Sequence, residues 1–181
     1  MEQDLELTIA LLSRTPQTFD SLLRHLPGTW ALANEGEGTW SPWDVVGHLI
    51  HADRTLWLVR IHHILGVGEA RPFEPFRRHG HQKSSQGQSL GQLLDDFAGV
   101  RAERLRDLRE LNLQPADLDR RGQHPALGSV TLSNLLATWA AHDLNHLHQI
   151  SRIMARQYRG ATGSWARYLG VLQCDAHGAS A

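Results

Sequence analysis

The sequence predicts an all-α protein: a four-helix bundle with one long crossover connection and a short C-terminal helix. Three observations carry this. Apolar residues recur at three- and four-residue spacing in four separate stretches, helix-start signals stand where those stretches begin, and no period-two pattern runs between hairpin turns. The 181 residues, 41% hydrophobic and 20% charged, suffice for one packed interior. The bundle domain is expected over residues 1–172, followed by a polar tail over 173–181.

The first amphipathic stretch runs from Asp4 to Leu26 and ends at Pro27-Gly28. Within it Thr15-Pro16 reads as a break or kink, because proline lacks the amide donor that an interior helical turn needs. Ser41-Pro42-Trp43-Asp44 then combines an N-cap serine, a proline at the first helical position and an acidic residue three after the cap. Val45, Leu49, Ala52, Leu56 and Val59 make one buried stripe on this second helix, which is expected to reach about Leu65. From Gly66 to Gln88 the composition turns to Gly, Pro, Ser, Gln and basic residues, a long surface crossover.

A third helix begins at Ser89, where Gln92 completes a capping box, and carries Leu90, Leu93, Leu94, Phe97, Leu105 and Leu108 on one face as far as Leu111. Residues from Asn112 to Gly128 read as a linker. Thr131 caps a fourth long helix to about Tyr158, with Leu132, Leu135, Leu136, Trp139, Leu147, Ile150 and Met154 as its stripe. The short C-terminal helical piece spans Trp165 to Leu172.

Composition excludes several functions. With 18 Lys plus Arg against 19 Asp plus Glu, the chain has no net field to hold nucleic acid or an anionic membrane surface. No apolar run is long enough for a bilayer. The single cysteine, Cys174, rules out an intramolecular disulfide, and the N-terminus lacks a secretory signal, so a cytoplasmic setting is expected. Cys174 has no evident base beside it, and neither G-x-S-x-G nor a phosphate-binding glycine loop occurs.

The anomaly is histidine, with 12 in the chain. His142 and His146, four apart on the fourth helix, lie one above the other and can converge on a cation. Chance gives about 0.7 such pairs at this content, so the spacing alone decides nothing. The face is more telling. Counted from Leu132 at about 100° per residue, His142 falls near about 280° and His146 near about 320°, against an apolar stripe from about 300° to about 60°. His48 falls near about 300° on the second helix, counted from Val45, at the edge of that stripe. Three imidazoles with no fourth protein ligand would leave a position for water or substrate, as catalytic metal sites do. The alternative is three packing histidines, each hydrogen-bonded in the interior. His51 lies further toward solvent, and His62, His63, His79, His81 and His124 read as surface or loop residues; Trp30, Trp40, Trp43, Trp57 and Trp139 read mainly as core and cap packing, with a pocket wall as the alternative for Trp43 and Trp139.

The segment from His142 to His146 superficially matches the zinc-protease H-E-x-x-H with Asp143 for Glu, but the shorter carboxylate and the missing third element argue against that chemistry. Asp143 nonetheless faces the interior, where an ionised carboxylate needs a partner. It can bond a ligand histidine from behind or pair with Arg101, which lies inside the stripe of the third helix. Arg101 could equally receive an anionic group of the substrate; the structural pairing is placed first.

The stretch Trp40-Ser-Pro-Trp-Asp-Val-Val-Gly-His48-Leu49 resembles the start of the second helix in the DinB-like (DinB/YfiT) superfamily of bundle metalloproteins. Gly122-Gln-His-Pro-Ala-Leu-Gly128 with Val130-Thr-Leu, followed by Trp139-Ala-Ala-His142-Asp143-Leu-Asn-His146-Leu-His-Gln149-Ile150, resembles that family's last long helix and its approach. The resemblance implies a bundle, often homodimeric, that holds a divalent metal by three histidines, here His48, His142 and His146. It also implies a small-molecule substrate, since relatives include S-transferases that use low-molecular-weight thiols. Two readings follow: an enzyme whose metal activates a thiol or water, as an S-transferase or a hydrolase would, and a non-catalytic metal- or ligand-binding module of a stress response. Zinc or nickel is the expected metal, with iron or manganese as alternatives.

Overall fold

The structure, a computed structural model, describes residues 4–174; the tail expected over 173–181 therefore falls, from residue 175 on, outside the described residues. Its frame is a four-helix bundle made by α1 (Leu5–Leu23), α2 (Pro42–Thr55) continued by α3 (Trp57–Gly66), α5 (Leu90–Glu110) and α6 (Leu132–Gln157). A short α4 (His81–Ser84) sits in the crossover. Helix α1 packs on α5 and α6, and the α2–α3 pair packs on the same two helices from the other side. No helix among the described residues is long and apolar enough to cross a membrane.

Three of the long helices start on capping boxes: Ser41 with Asp44, Ser89 with Gln92, and Thr131 with Asn134. Each box satisfies orphan amide donors of the first turn and fixes where the helix begins, and so its phase. Asp4 caps α1 by accepting from the Leu7 amide.

Pro16 does not break α1, which continues to Leu23. The carbonyl that Pro16 leaves without an amide donor is that of Leu12, and it accepts instead from Arg101 Nη1 at 3.0 Å. The second predicted helix is two helices that meet at Leu56, whose φ of −116° leaves the regular helical value. The buried stripe slips there. Val45, Leu49 and Ala52 face the core before the joint, and Trp57, Ile61 and Ile64 after it, so Val59, expected inside, is 56% exposed. The C-terminal piece is a pair of 3-10 turns, Gly163–Tyr168 and Gly170–Leu172, anchored by the buried Leu172.

The linker before α6 holds a small antiparallel hairpin, β1 (Arg121–His124) and β2 (Gly128–Thr131), in a chain expected to have no sheet. Gly128 turns the chain at φ +76°, a value that suits glycine. The crossover is tied to this hairpin by the Phe73 amide, which donates to Gln123 O at 2.8 Å. Gly122 makes the approach possible: a Cβ there would lie 2.6 Å from Phe73 Cζ and 2.8 Å from Ile64 Cγ1. Gly122→Ala should therefore lower stability by about 1–3 kcal/mol through overpacking, read as a fall in thermal midpoint. An unchanged midpoint would mean that the hairpin rides loosely on α3.

The core divides into two apolar clusters, one around Leu12, Ile61, Leu105 and Trp139, the other around Phe19, Leu49, Phe97 and Ile150. Between them each helix of the frame contributes one polar residue: Thr15, Asp53, Arg101 and Asp143, all buried. A polar layer thus crosses the bundle at the level where His142 and His146 leave α6.

Candidate metal centre

His48 comes from the middle of α2, seven residues past its capping serine, and His142 and His146 come from successive turns of α6. The fold brings the three rings together. His142 Nε2 lies 3.2 Å from His48 Nε2 and 3.2 Å from His146 Nε2, and the candidate ligand atoms all fall within 4.8 Å of one another. His48 and His146 are buried and His142 is half-buried. No carboxylate or thiol among the described residues joins the cluster.

Two of the rings are oriented through their other nitrogen. His48 Nδ1 donates to the Arg78 carbonyl at 3.2 Å, and His146 Nδ1 donates to Gln149 Oε1 at 2.8 Å. Each bond puts the proton of the neutral ring on Nδ1 and leaves Nε2 as a bare lone pair. Gly47 lets the crossover pack closely on α2 beside His48, since a Cβ there would lie 2.9 Å from Ser85 Oγ. Aromatic rings hold the histidines from the sides. Trp40 lies 4.7 Å from His48 and 6.1 Å from His146 between ring centroids, and Trp57 meets His142 edge-on at 5.2 Å.

Burial, and then the neighbouring His146, hold the His48 imidazole far below its ordinary value, at about 3. Burial followed by the two companion rings lowers His142 strongly, and burial lowers His146 against the opposing pull of Gln149 and Asp143. All three therefore remain neutral at neutral pH, the form in which imidazole binds a metal.

The geometry fits a divalent cation. Nitrogens about 2.0–2.1 Å from a tetrahedral zinc stand roughly 3.3–3.4 Å apart, close to the two 3.2 Å separations that His142 makes. Without a cation, His142 with its proton on Nε2 can answer only one of the two lone pairs that face it. His142 Nδ1 is buried without a hydrogen-bond partner among the described residues, and a cation held at Nε2 does not change that. The cluster opens on a cavity of about 410 Å³ that is lined also by Trp57, Arg60, Phe73, Phe76, Asn134 and Thr138.

Other sequence expectations resolve differently. Asp143 turns away from the imidazoles: its carboxylate accepts from Thr15 Oγ1 at 2.6 Å and pairs with Arg101. Arg101 is 1% exposed and also pairs with Asp53, its Nε donating to Asp53 Oδ2 at 2.7 Å. Of its two expected roles the structural pairing is the one seen; Arg101 does not line the cavity beside the histidines, which leaves no substrate contact for it there. Trp139 lies wholly within the core, with its Nε1 donating to Asp53 Oδ1 at 3.1 Å, and Trp43 donates to the Gln88 carbonyl, so neither walls the pocket; Trp57 does. His81, expected at the surface, is fully buried against Trp40, and His124 is half-buried at the cavity. Asp53 and Gln149 escaped the sequence reading. The signal for Gln149 was its place three residues after His146 on one helical face, and that for Asp53 was a carboxylate beside the stripe of the second helix.

Similarity to known proteins agrees with this picture. Among curated proteins no sequence matches the chain. In structure it is similar to YfiT from Bacillus subtilis, described as a probable metal-dependent hydrolase with an unusual four-helix bundle topology, at a TM-score of 0.72 and 19% identity over 87% of this chain and 89% of that one. The profile of the DinB superfamily matches residues 11–150, a span that holds most of the bundle and all three clustered histidines, and the chain belongs to that superfamily.

Proposed function

We propose that the chain is a divalent-metal-dependent enzyme acting on a small molecule, with His48, His142 and His146 holding the cation through Nε2. The observation that carries the proposal is the meeting of three Nε2 atoms beside a cavity, two of them already turned to the task by hydrogen bonds at Nδ1. A divalent ion bound there supplies Lewis-acid chemistry that lowers the pKa of a thiol or water. The remaining work falls to this chain's own side chains. Trp57, Phe73 and Phe76 exclude water from one side of the cavity, and Asn134, Thr138 and Asn145 offer neutral polar contacts to a substrate.

No Asp or Glu lines this cavity, and Asp143 is held by Arg101. A thiol, with an ordinary pKa of about 8.5, needs far less help to ionise than bulk water at about 15.7, so a bound cation alone suffices for it without a carboxylate base beside it. This supports a low-molecular-weight thiol as nucleophile and an S-transferase reaction. Hydrolysis is the second reading, supported by the likeness to YfiT and its description. Imidazole ligands suit zinc, nickel and iron alike and manganese less well.

Protein purified without a histidine tag or chelating resin should carry about one divalent metal per chain by elemental analysis. Turnover of a thiol with an electrophile should vanish on chelation and return with the metal. Full turnover by metal-free protein, or no metal uptake, overturns the proposal. Cleavage of esters without added thiol would select hydrolysis, and metal retained with no turnover in either panel would leave a binding module.

A further inference from the structure

We propose that Arg60 and Trp57 form an anion subsite in the same cavity, so that the substrate carries a carboxylate in addition to the group that meets the metal. The placing of the reactive group rests on the reading above; the subsite itself stands on separate observations. Trp57 and Arg60 are three residues apart on α3, hence on one face, and both line the cavity. Trp57 Nε1 and Arg60 Nε are buried donors without hydrogen-bond partners among the described residues. Arg60 has no ion-pair partner among them either; its guanidinium lies over the Phe73 ring at 5.0 Å.

The contrast between half-buried Arg60 and the fully buried arginines is direct. Arg101 is held by Asp53 and Asp143, and Arg152 by Glu35. Burial without such a carboxylate lowers the pKa of Arg60, which is to say that its charge is poorly compensated where it stands. The cavity lining adds Arg78 and contains no acidic side chain, so it favours negative charge. A guanidinium N–H and an indole N–H on one helical face can both donate to a single carboxylate, whereas a neutral ligand would leave the guanidinium charge unanswered. Trp57 is also the ring that touches His142. Arg60 lies about 4.5 Å further along the helix axis. A small molecule can therefore place its anionic end on Arg60 and its reactive end at the histidines.

The test uses metal-loaded protein and two probes of equal shape, 3-phenylpropionate and 3-phenylpropionamide, followed by calorimetry and indole fluorescence. The carboxylate should bind at least about tenfold more tightly than the amide, and the preference should shrink with added salt. Arg60→Gln should abolish the preference and leave the metal content unchanged. Arg60→Lys, which keeps charge without the Nε donor, should retain part of it and serves if the glutamine variant fails to fold. The preference should persist in metal-free His142→Ala. Equal binding of the two probes, a preference that survives Arg60→Gln, or one that disappears with the metal alone overturns the subsite. Failure of the metal reading shows separately, as wild-type protein without metal.

Discussion

Replacing His142 by alanine should empty the metal centre and abolish turnover. His142 is the middle member of the cluster, with its Nε2 3.2 Å from both partner nitrogens, so its loss leaves two donors on different helices with nothing between them. A Lewis acid is worth several kcal/mol at a transition state, and each 1.36 kcal/mol is tenfold, so turnover should fall by on the order of 10³-fold or more. The bundle should survive, because the ring is half-buried and makes no hydrogen bond through Nδ1. Gln149→Leu separates ligation from orientation. Without its oxygen the His146 ring loses the bond that fixes its tautomer, metal affinity should fall by about 10–100-fold, and activity should return when excess metal is supplied. Elemental analysis and rates measured across a metal titration check both variants. His142→Ala protein with native metal content and native turnover would refute the assignment.

What the sequence made legible, and what it hid, follows the range of the interactions involved. The starts of α2, α5 and α6 were readable because Ser41, Ser89 and Thr131 cap with residues only three positions away. Once a start and a period are known, so is the face on which His48, His142 and His146 stand, and their convergence needed only the packing of α2 on α6. Contacts between distant segments were invisible. Pro16 stays helical because Arg101, 85 positions on, donates to the Leu12 carbonyl that proline leaves free. The hairpin over Arg121–Thr131 has strands of four residues, too short for alternation to register, and its one fully buried position is a glycine. The slip at Leu56 moved Val59 outward, and Trp57, legible only as a packing residue, stands in the wall of the cavity.

The largest loss of stability is expected from Arg101→Met. Arg101 reaches all four helices of the frame: it lies on α5 and bonds Asp53 of α2, Asp143 of α6, and Leu12 and Thr15 of α1. Although burial works against its charge, the two carboxylates hold its pKa above the ordinary value. Without it Asp53 and Asp143 face each other in a dry layer, and breaking a buried ion pair from one side costs about 3–5 kcal/mol. The deficit should depend on pH with a definite sign. Burial already raises Asp53 to about 6 with Arg101 in place. Losing the guanidinium removes its attraction and raises Asp53 further, so the folded variant holds a proton that the unfolded chain, near about 3.9, has released. Such a group favours folding below the unfolded value and loses that advantage as pH rises through the folded one. The variant should therefore approach wild type at pH about 4 and fall furthest behind above pH about 7. Urea unfolding at both pH values reads this, and equal deficits would show that repulsion between the carboxylates is not the cause. Adding Asp53→Leu and Asp143→Leu should restore most of the stability, because an apolar layer removes the charges that Arg101 had compensated. The same triple variant tests what the layer is for. Asp143 stands next to His142 on α6, so if the polar layer sets the register of α6 against α2, the restored protein should be stable yet bind metal more weakly than wild type.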